Sequence, residues 1–202
     1  MVLTGEDQCA GRVVERVEAA LGYPVTVKPC GQGSSVGLGL VEGRAALAAA
    51  VAAAAAYDAI VLVEARISGR EMTVGILEET ALPVIEVVPS HACFDYAAKY
   101  QPGLTAYHVP AEIPADVAGR CRQAALAAHR AIQARHVSRV DLMLDARQQP
   151  VVLEVNTIPG LTAMSLLPKA ARVAGCAFDE LCERLLLCAL RDASPARAGL
   201  PA

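Results

Sequence analysis

Two segments near the C-terminal end, RVDLMLD at residues 139–145 and PVVLEVN at residues 150–156, constrain the fold more than any other part of the chain. In each segment, polar residues stand two positions apart among apolar ones, and the four residues ARQQ separate the segments. A period of two is typical of a strand with one buried face, and a short polar connection between two such strands predicts a hairpin. The chain is therefore expected to contain an antiparallel sheet.

Other periodic segments predict helices and strands around this hairpin. Helical spacing of apolar residues is found over residues 6–21, 43–57, 114–135, 167–175 and 178–191. Short apolar or alternating runs predict strands over residues 24–29, 59–65, 71–77 and 83–88, with one more strand after the glycine-rich run 30–39. Residues 89–112 show no period and are predicted to form a long functional loop. The predicted class is α+β with mainly antiparallel sheets.

The composition excludes several classes of protein. Hydrophobic residues make up 54% of the 202 residues and charged residues 19%, which suits a folded core and not global disorder. This length is enough for one large domain or two small ones. The net charge of −3, the 18 dispersed basic residues and the absence of Trp do not suit a nucleic-acid-binding surface. No nucleic-acid partner is expected.

The cysteines and the N-terminal residues bear on location. The seven cysteines are an odd number with no CxxC pair and no zinc-ligand spacing, which favours free thiols in a reducing compartment. The start MVLTGEDQCAG contains two acids and two glycines, unlike a signal peptide. The apolar run 45–56 is shorter than the roughly 20 residues that a membrane-spanning helix needs. A cytoplasmic protein without membrane contact is expected.

The run CGQGSSVGLG is the first candidate binding site. Lys28 ends a predicted strand immediately before this run, whose small residues are Gly31, Gly33, Ser34, Ser35 and Gly37. Glycines allow backbone N–H groups to approach a phosphate closely, and a lysine adds a positive charge. The run does not match the P-loop pattern, because its lysine precedes the glycines. A plain hairpin turn explains this segment alone equally well.

The hairpin carries the second candidate site. Arg139 and Asp141 stand two apart on one strand, as do Glu154 and Asn156 on the other, so each pair is expected on one face. The apolar residues expected on the opposite face are Val140, Leu142, Leu153 and Val155. Two carboxylates and an amide oxygen are the hard oxygen ligands that suit Mg²⁺. A solvated sheet face is the alternative, and the presence of two pairs followed by TIPGLTAMS favours the metal.

Five motifs occur in the order found in one enzyme family: VKPCGQGSSVG, VEARISGREMTVGIL, DYAAKY, RVDLMLD and LEVNTIPGLTAMSLLP. From about Val13 to Leu190, the chain resembles the D-alanine–D-alanine ligases of the ATP-grasp superfamily. The resemblance implies an ATP-grasp fold, in which two α+β subdomains with mainly antiparallel sheets grip ATP between them.

The same resemblance implies roles in nucleotide binding. Lys28 is similar to the lysine that binds ATP phosphates, beneath a glycine loop to which Gly33 and Ser35 belong. Glu64, with the backbone of Ala65 and Ile67, is similar to the adenine-binding edge. Glu71 resembles the acceptor of the ribose hydroxyls, and Lys99 the lysine that contacts the γ-phosphate.

Catalytic and metal-binding roles follow from the resemblance in the same way. Ser34 and Tyr100 resemble a hydrogen-bonded pair on the substrate side, and Tyr100 favours D-alanine as the second substrate. Arg139 and the N–H of Gly160 resemble the oxyanion donors. Ser165 and the N–H of Leu166 resemble the clamp on the second substrate's carboxylate. Asp141, Glu154 and Asn156 resemble the ligands of two Mg²⁺ or Mn²⁺ ions, whereas His91 and His108 receive no role.

The implied activity is the ATP-dependent joining of two D-alanines through a D-alanyl phosphate, a step in peptidoglycan synthesis. The implied organisation is an N-terminal helix and remnant at 1–22, a small subdomain at 23–90, a large catalytic subdomain at 91–191 with a closing loop at 91–112, and a disordered tail at 192–202. The family's N-terminal substrate domain is not visible in this chain, so a homodimer or that domain in trans is the implied partner. Another ATP-grasp carboxylate-amine ligase and an inactive nucleotide-binding fragment are the alternatives.

Overall fold

The computed structural model describes residues 1–4, 10–33, 35–89 and 105–193. These residues belong to two compact units. The first contains the described residues up to Ile67 together with Pro89 and Thr105, and the second contains Ser68–Val88 and the described residues from Ala106 onward. In the described part of the chain, no helix is both long and apolar enough to cross a membrane.

The first unit is built on a four-stranded sheet in the order β1-β4-β2-β3. Its strands are β1 (Val2–Leu3), β2 (Val25–Pro29), β3 (Gly39–Val41) and β4 (Val61–Ala65), and its helices are α1 (Ala10–Ala20) and α2 (Arg44–Ala55). Alternate residues of β2 are buried, so Lys28 lies on the less buried face. Leu47, Val51 and Ala54 form the buried stripe of α2, which packs with the sheet in one core.

The second unit contains a six-stranded sheet in the order β10-β9-β5-β7-β8, with β6 paired to β5. The strands of this sheet, which belong to the second unit except for the end residues Pro89 and Thr105, are β5 (Gly69–Leu77), β6 (Thr80–Ala81), β7 (Ile85–Pro89), β8 (Thr105–His108), β9 (Val137–Asp145) and β10 (Pro150–Asn156). Its helices are α3 (Ala115–Ala131), α4 (Leu166–Val173) and α5 (Phe178–Ala193). The pairs β9–β10, β5–β9, β5–β7 and β5–β6 are antiparallel, which confirms the predicted class.

Helices cover both faces of this second sheet. On one face, α3 packs against a core that includes Met72, Val140 and Leu142. On the other face, α4 lies against β5 at Gly75, where an added Cβ would come within 2.7 Å of Leu167 Cδ1. The small residue at this point therefore permits the close approach of α4 to the sheet.

The division of the chain differs from the predicted boundary at residue 90. The strand β5 pairs with β9 along its whole length, from Gly69 opposite Asp145 to Leu77 opposite Val137. This long-range pairing places residues 68–88 in the second unit, with the hairpin. The predicted remnant 1–22 contributes β1 and α1 to the core of the first unit.

Several shorter elements also differ from prediction. The strands β1, β6 and β8 were not predicted, because two to four residues are too few to show a period. The helix α3 ends at Ala131 and not at residue 135, since Gln133 adopts a positive φ of 55°. The helix α5 extends to Ala193, beyond the predicted start of the tail at Asp192, and residues 194–202 lie outside the described residues.

Candidate active site

The strand register of the second unit gathers the predicted polar residues on one face. Arg139 lies opposite Asn156, and Asp141 lies opposite Glu154. On its other side, Asp141 lies opposite Thr73 of β5. Directly opposed residues of antiparallel strands point to the same face. These five residues are called the carboxylate face below, and Glu71 belongs to it because it stands two positions before Thr73 on the same strand.

A β-bulge in β10 produces this register. Val152 pairs with Leu142, but the pairing shifts by one residue so that Glu154 pairs with Asp141. Leu153 therefore has no cross-strand partner, and it is 40% exposed. The sequence placed Leu153 on the apolar face with Val140 and Leu142, but the register gives it no partner there. Without the extra residue, Glu154 would lie opposite the buried Val140, so the bulge is what turns the two polar residues of β10 toward Asp141.

Asp141 is held by donors from all three strands. Its Oδ1 accepts hydrogen bonds from Thr73 Oγ1 at 2.6 Å and from Arg139 Nε at 2.9 Å. Its Oδ2 accepts from Arg139 Nη2 at 2.7 Å and from Asn156 Nδ2 at 3.2 Å. The pairing with Arg139 is bidentate, which fixes the planes of both groups.

The charge of this face is dominated by carboxylates. Burial alone would lower the pKa of Arg139, but the hydrogen bonds and charge of Asp141, together with the charges of Glu154 and Glu71, outweigh it and raise that pKa. Three carboxylates thus act on one guanidinium. The described residues of this face carry a negative excess that a further cation would neutralise.

The donor set fits a divalent cation with oxygen ligands. Among the described residues, no group of three His, Cys, Asp or Glu side chains is arranged to hold a metal, so two carboxylates and Asn156 are the available set. The Asn156 amide nitrogen also lies 3.3 Å from Glu154 Oε1. This amide group therefore lies between the two carboxylates, and a half-turn about its last bond would present its oxygen in the same place.

The segment after β10 carries the predicted substrate clamp. Ser165 Oγ accepts a hydrogen bond from the Thr162 backbone N–H at 3.2 Å and lies 2.9 Å from Thr162 Oγ1. A Cβ at residue 160 would come within 2.8 Å of this oxygen, so Gly160 allows the turn to close on Ser165. The helix α4 begins at Leu166 without a side-chain cap, which leaves its first N–H groups available to an anion.

In the first unit, two of the predicted nucleotide residues form an ion pair. Lys28 Nζ lies 2.6 Å from Glu64 Oε2, and neither side chain is fully buried. Thr26 is the cross-strand partner of Glu64, and Lys28 stands two residues further on the same face. Ala65 ends β4 opposite Val25, and Ile67 lies two residues beyond.

Asp58 shapes the start of the glycine run and was not predicted as a site residue. Its carboxylate accepts hydrogen bonds from the backbone N–H of Ile60 at 3.0 Å and of Gly31 at 2.5 Å. These backbone hydrogen bonds lower the pKa of Asp58. Ser35 and Gly37 have positive φ angles of 59° and 73°, so the turn of the run uses left-handed backbone.

Three predicted site residues, Ser34, Lys99 and Tyr100, lie outside the described residues, as does His91. Gly33 and Glu71 lie within them, and a Cβ at residue 33 would meet no atom within 4 Å. Thr73 is the site residue that sequence reasoning missed on the second unit. It stands two positions after Glu71, but its pairing with Asp141 spans 68 residues of sequence, which no local pattern reveals.

The family model described as "D-ala D-ala ligase C-terminus" matches residues 1–187. The D-alanine–D-alanine ligase of Anaeromyxobacter sp. (strain Fw109-5) is 49% identical over 165 residues, which cover 82% of this chain and 54% of that protein. The D-alanine–D-alanine ligase of Geotalea uraniireducens is 42% identical over 181 residues, which cover 90% and 58% respectively. The chain spans about half the length of these curated relatives.

Solved structures agree with this similarity. The D-alanine–D-alanine ligase of Bacillus anthracis is 34% identical with a TM-score of 0.82, over 95% of this chain and 61% of that one. The VanG D-Ala:D-Ser ligase of Enterococcus faecalis is 31% identical with the same TM-score, over 92% and 54%. These neighbours place the fold among the ATP-grasp ligases.

Proposed function

The chain belongs to the family of D-alanine–D-alanine ligase C-terminal domains, and from this we propose that it carries the nucleotide-binding and catalytic part of an enzyme that joins two D-alanines with conversion of ATP to ADP and phosphate. The product would serve peptidoglycan synthesis in the cytoplasm. The observation that carries the proposal is the carboxylate face, where Asp141, Glu154 and Asn156 meet beside Arg139.

ATP binding is the first part of this proposal. Lys28 and the backbone of the glycine run, including Gly33 and Ser35, bind the phosphates, and Lys99 contacts the γ-phosphate. Glu64, with the backbone of Ala65 and Ile67, binds adenine, and Glu71 accepts the ribose hydroxyls. In support, Lys28 and Glu64 are only partly buried, so their ion pair can open to a ligand at small cost. The Bacillus anthracis ligase has also been solved as a complex with ATP.

Divalent cations, Mg²⁺ or Mn²⁺ and two in number, are held by Asp141, Glu154 and Asn156. When bound, they offset the charge of the ATP phosphates. The donor chemistry supports this assignment, because carboxylate and amide oxygens are the ligands that hard cations prefer. The negative excess of the face supports it as well, since three carboxylates act on Arg139.

The proposed reaction has two steps. The γ-phosphoryl group of ATP passes to the carboxylate of the first D-alanine, and ADP leaves. The carboxylate thereby becomes an acyl phosphate. The amine of the second D-alanine then attacks the acyl carbon, and phosphate leaves. Arg139 and the N–H of Gly160 stabilise the oxyanion that forms at the acyl carbon. The charge of Arg139 suits this role, because a guanidinium stays protonated at neutral pH.

The second substrate is held by its carboxylate. The Ser165 hydroxyl and the N–H of Leu166 bind it at the start of α4, where the helix dipole favours an anion. Ser34 and Tyr100, which lie outside the described residues, are proposed to form a hydrogen-bonded pair on the substrate side of the site. Because the curated relatives are longer, we propose that a further domain, in the same protein or in trans, supplies the site for the first D-alanine, and a homodimer is the proposed assembly.

The test is D-alanine-dependent phosphate release from ATP by the purified 202-residue chain, with Glu154→Gln as the matched control and dipeptide detected by mass spectrometry. Release with dipeptide in the wild type, reduced at least about 100-fold in the variant, is expected of a working ligase. Mg²⁺-dependent ATP binding without release would place the missing function in the further domain, to be restored by adding the N-terminal half of a relative. Absence of ATP binding would contradict the proposal.

A second candidate concerns the amine substrate. The D-Ala:D-Ser ligase matches this chain with the same TM-score as the D-alanine ligase and nearly the same identity. D-serine is therefore the competing second substrate. Parallel assays with D-alanine alone and with D-alanine plus D-serine distinguish the two, and a mixed dipeptide as the main product would favour D-serine.

A further inference from the structure

Thr73 belongs to the carboxylate face, but none of the roles assigned above includes it. It lies in β5, is 2% exposed, and has Asp141 as its cross-strand partner on one side and Ile85 on the other. Its Oγ1 lies 2.6 Å from Asp141 Oδ1 and 3.3 Å from the Val140 carbonyl oxygen. A hydroxyl has one proton to donate, and the shorter distance assigns that proton to the carboxylate.

The donors around Asp141 leave no acceptor site free in the structure. Each carboxylate oxygen accepts about two hydrogen bonds, and both oxygens of Asp141 already accept two. A cation can reach Asp141 only if one of these donors withdraws. The donor that stays therefore determines how the Asp141 carboxylate is oriented when a cation binds.

The three donors differ in how easily they can leave. The side chain of Arg139 is 22% exposed, and in the proposed function it turns to an oxyanion. The Asn156 amide can rotate in place between Asp141 and Glu154. Thr73 has a β-branched side chain with a restricted χ1, and its strand is paired on both sides. Of the three, Thr73 is the donor that cannot move away.

We propose that Thr73 is a positioning residue of the metal site: its hydroxyl holds Asp141 Oδ1 in a fixed orientation, so that the carboxylate keeps facing Glu154 and Asn156 when Arg139 and Asn156 change partners. This inference rests on the proposed function, because Asp141 is a metal ligand only within it. The hydroxyl is the essential group. Valine would fill the same space but would leave Oδ1 without its fixed donor, whereas serine would keep the donor.

The test compares binding of the fluorescent nucleotide mant-ATP with and without MgCl₂, using the full 202-residue chain. The measured quantity is the factor by which Mg²⁺ tightens nucleotide binding. Thr73→Val should reduce this factor by about 10-fold or more, as is usual when a residue supporting a metal ligand is lost. Thr73→Ser should keep it within about 3-fold of the wild type, and Mg²⁺-free binding should be unchanged in both variants.

Two controls separate this inference from the proposed function. Glu154→Gln removes a proposed ligand and should abolish the Mg²⁺ effect, whereas Ser138→Ala removes another buried hydroxyl, which on the opposite face contacts His129, and should not. An unimpaired Thr73→Val beside an impaired Glu154→Gln would overturn the role of Thr73 alone. Equal impairment in Thr73→Val and Thr73→Ser would also overturn it, because packing would then be the cause. An unimpaired Glu154→Gln, or a wild-type chain that binds no mant-ATP, would overturn the metal site itself.

Discussion

Two arginine–carboxylate clusters in the second unit use the same chemistry with opposite balance of charge. In the described part of the carboxylate face, the charges of Asp141, Glu154 and Glu71 all act on the Arg139 guanidinium. In the second cluster, which we call the turn cluster, Glu78 at the β5–β6 turn accepts hydrogen bonds from Arg184, Cys188 and Arg191 of α5. There, two guanidinium groups surround one carboxylate. In the turn cluster, the charge of Glu78 is neutralised, and the contacts join α5 to the β5–β6 turn. In the carboxylate face, the described residues have an excess of negative charge, which favours the binding of a cation.

The lesson is that an arginine–carboxylate pair does not by itself indicate a functional site. Both carboxylates accept several charged hydrogen bonds, and the positive neighbours outnumber Glu78 but not the carboxylates around Asp141. A carboxylate with more than one positive partner stabilises the structure, because these partners favour its ionised form and so lower its pKa. Where several carboxylates share one arginine, their mutual repulsion is only partly offset, and a bound cation relieves the rest.

The largest effect expected from this comparison is that of Arg139→Met. Removing the Arg139 guanidinium leaves the half-buried Asp141 carboxylate without its ion-pair partner, and we expect the free energy of unfolding to fall by about 3 kcal/mol. Mg²⁺ should restore part of this loss, since it replaces the missing positive charge. Urea denaturation of both proteins with and without MgCl₂ measures the effect.

The double variant Arg139→Met with Glu154→Gln is the control for that experiment. It has one carboxylate fewer, so the response to Mg²⁺ should largely disappear. If Mg²⁺ stabilises Arg139→Met no more than it stabilises the wild type, the negative excess is not the property that distinguishes the two clusters.

Glu78→Gln should have a smaller effect, and no dependence on Mg²⁺. The hydrogen bonds from Arg184, followed by those from Arg191 and Cys188, lower the pKa of Glu78 from 4.5 to about 2. Because the cluster is partly exposed and solvent screens it, we expect a loss of about 1 to 2 kcal/mol at neutral pH. The stabilising contribution of the ionised Glu78 is fully present above a pH of about 4.5 and is lost as the pH falls toward 2.

The difference in unfolding free energy between wild type and Glu78→Gln should therefore shrink between about pH 4.5 and pH 2. Denaturation at a series of pH values measures this difference. A difference that stays constant through this range would show that Glu78 stabilises the turn by its shape and not by its charge. A response of this variant to Mg²⁺ would contradict the distinction between the clusters.

Much of this arrangement follows from the sequence, and the missing parts have physical causes. The strand periodicity located β9 and β10, and the spacing of Arg139 with Asp141 placed them on one face as found. The partners of these strands were not predictable, because β5 pairs with β9 across 60 or more residues of chain. Thr73 was missed for this reason, and so was the assignment of β5 to the second unit.

The bulge was missed for a different reason. A strict period of two puts Val152, Glu154 and Asn156 on the same face, and the sheet then presents Glu154 to the apolar side. The extra residue Leu153 changes the face partway along β10, and nothing in a hydrophobic pattern distinguishes such a residue from a core position. The convergence of the four polar residues was predicted correctly, but it depends on this irregularity.

The smallest expected effect tests the bulge directly. Leu153 is 40% exposed and has no cross-strand partner, so Leu153→Ser should change the free energy of unfolding by no more than about 0.5 kcal/mol. Leu142→Ala on the neighbouring strand, where the side chain is fully buried, should cost about 2 to 5 kcal/mol in the same urea denaturation. If Leu153→Ser were as costly as Leu142→Ala, Leu153 would belong to the core after all. A buried Leu153 would contradict the register shift that brings Glu154 opposite Asp141, and the contrast between the carboxylate face and the turn cluster would lose one of the carboxylates on which it depends.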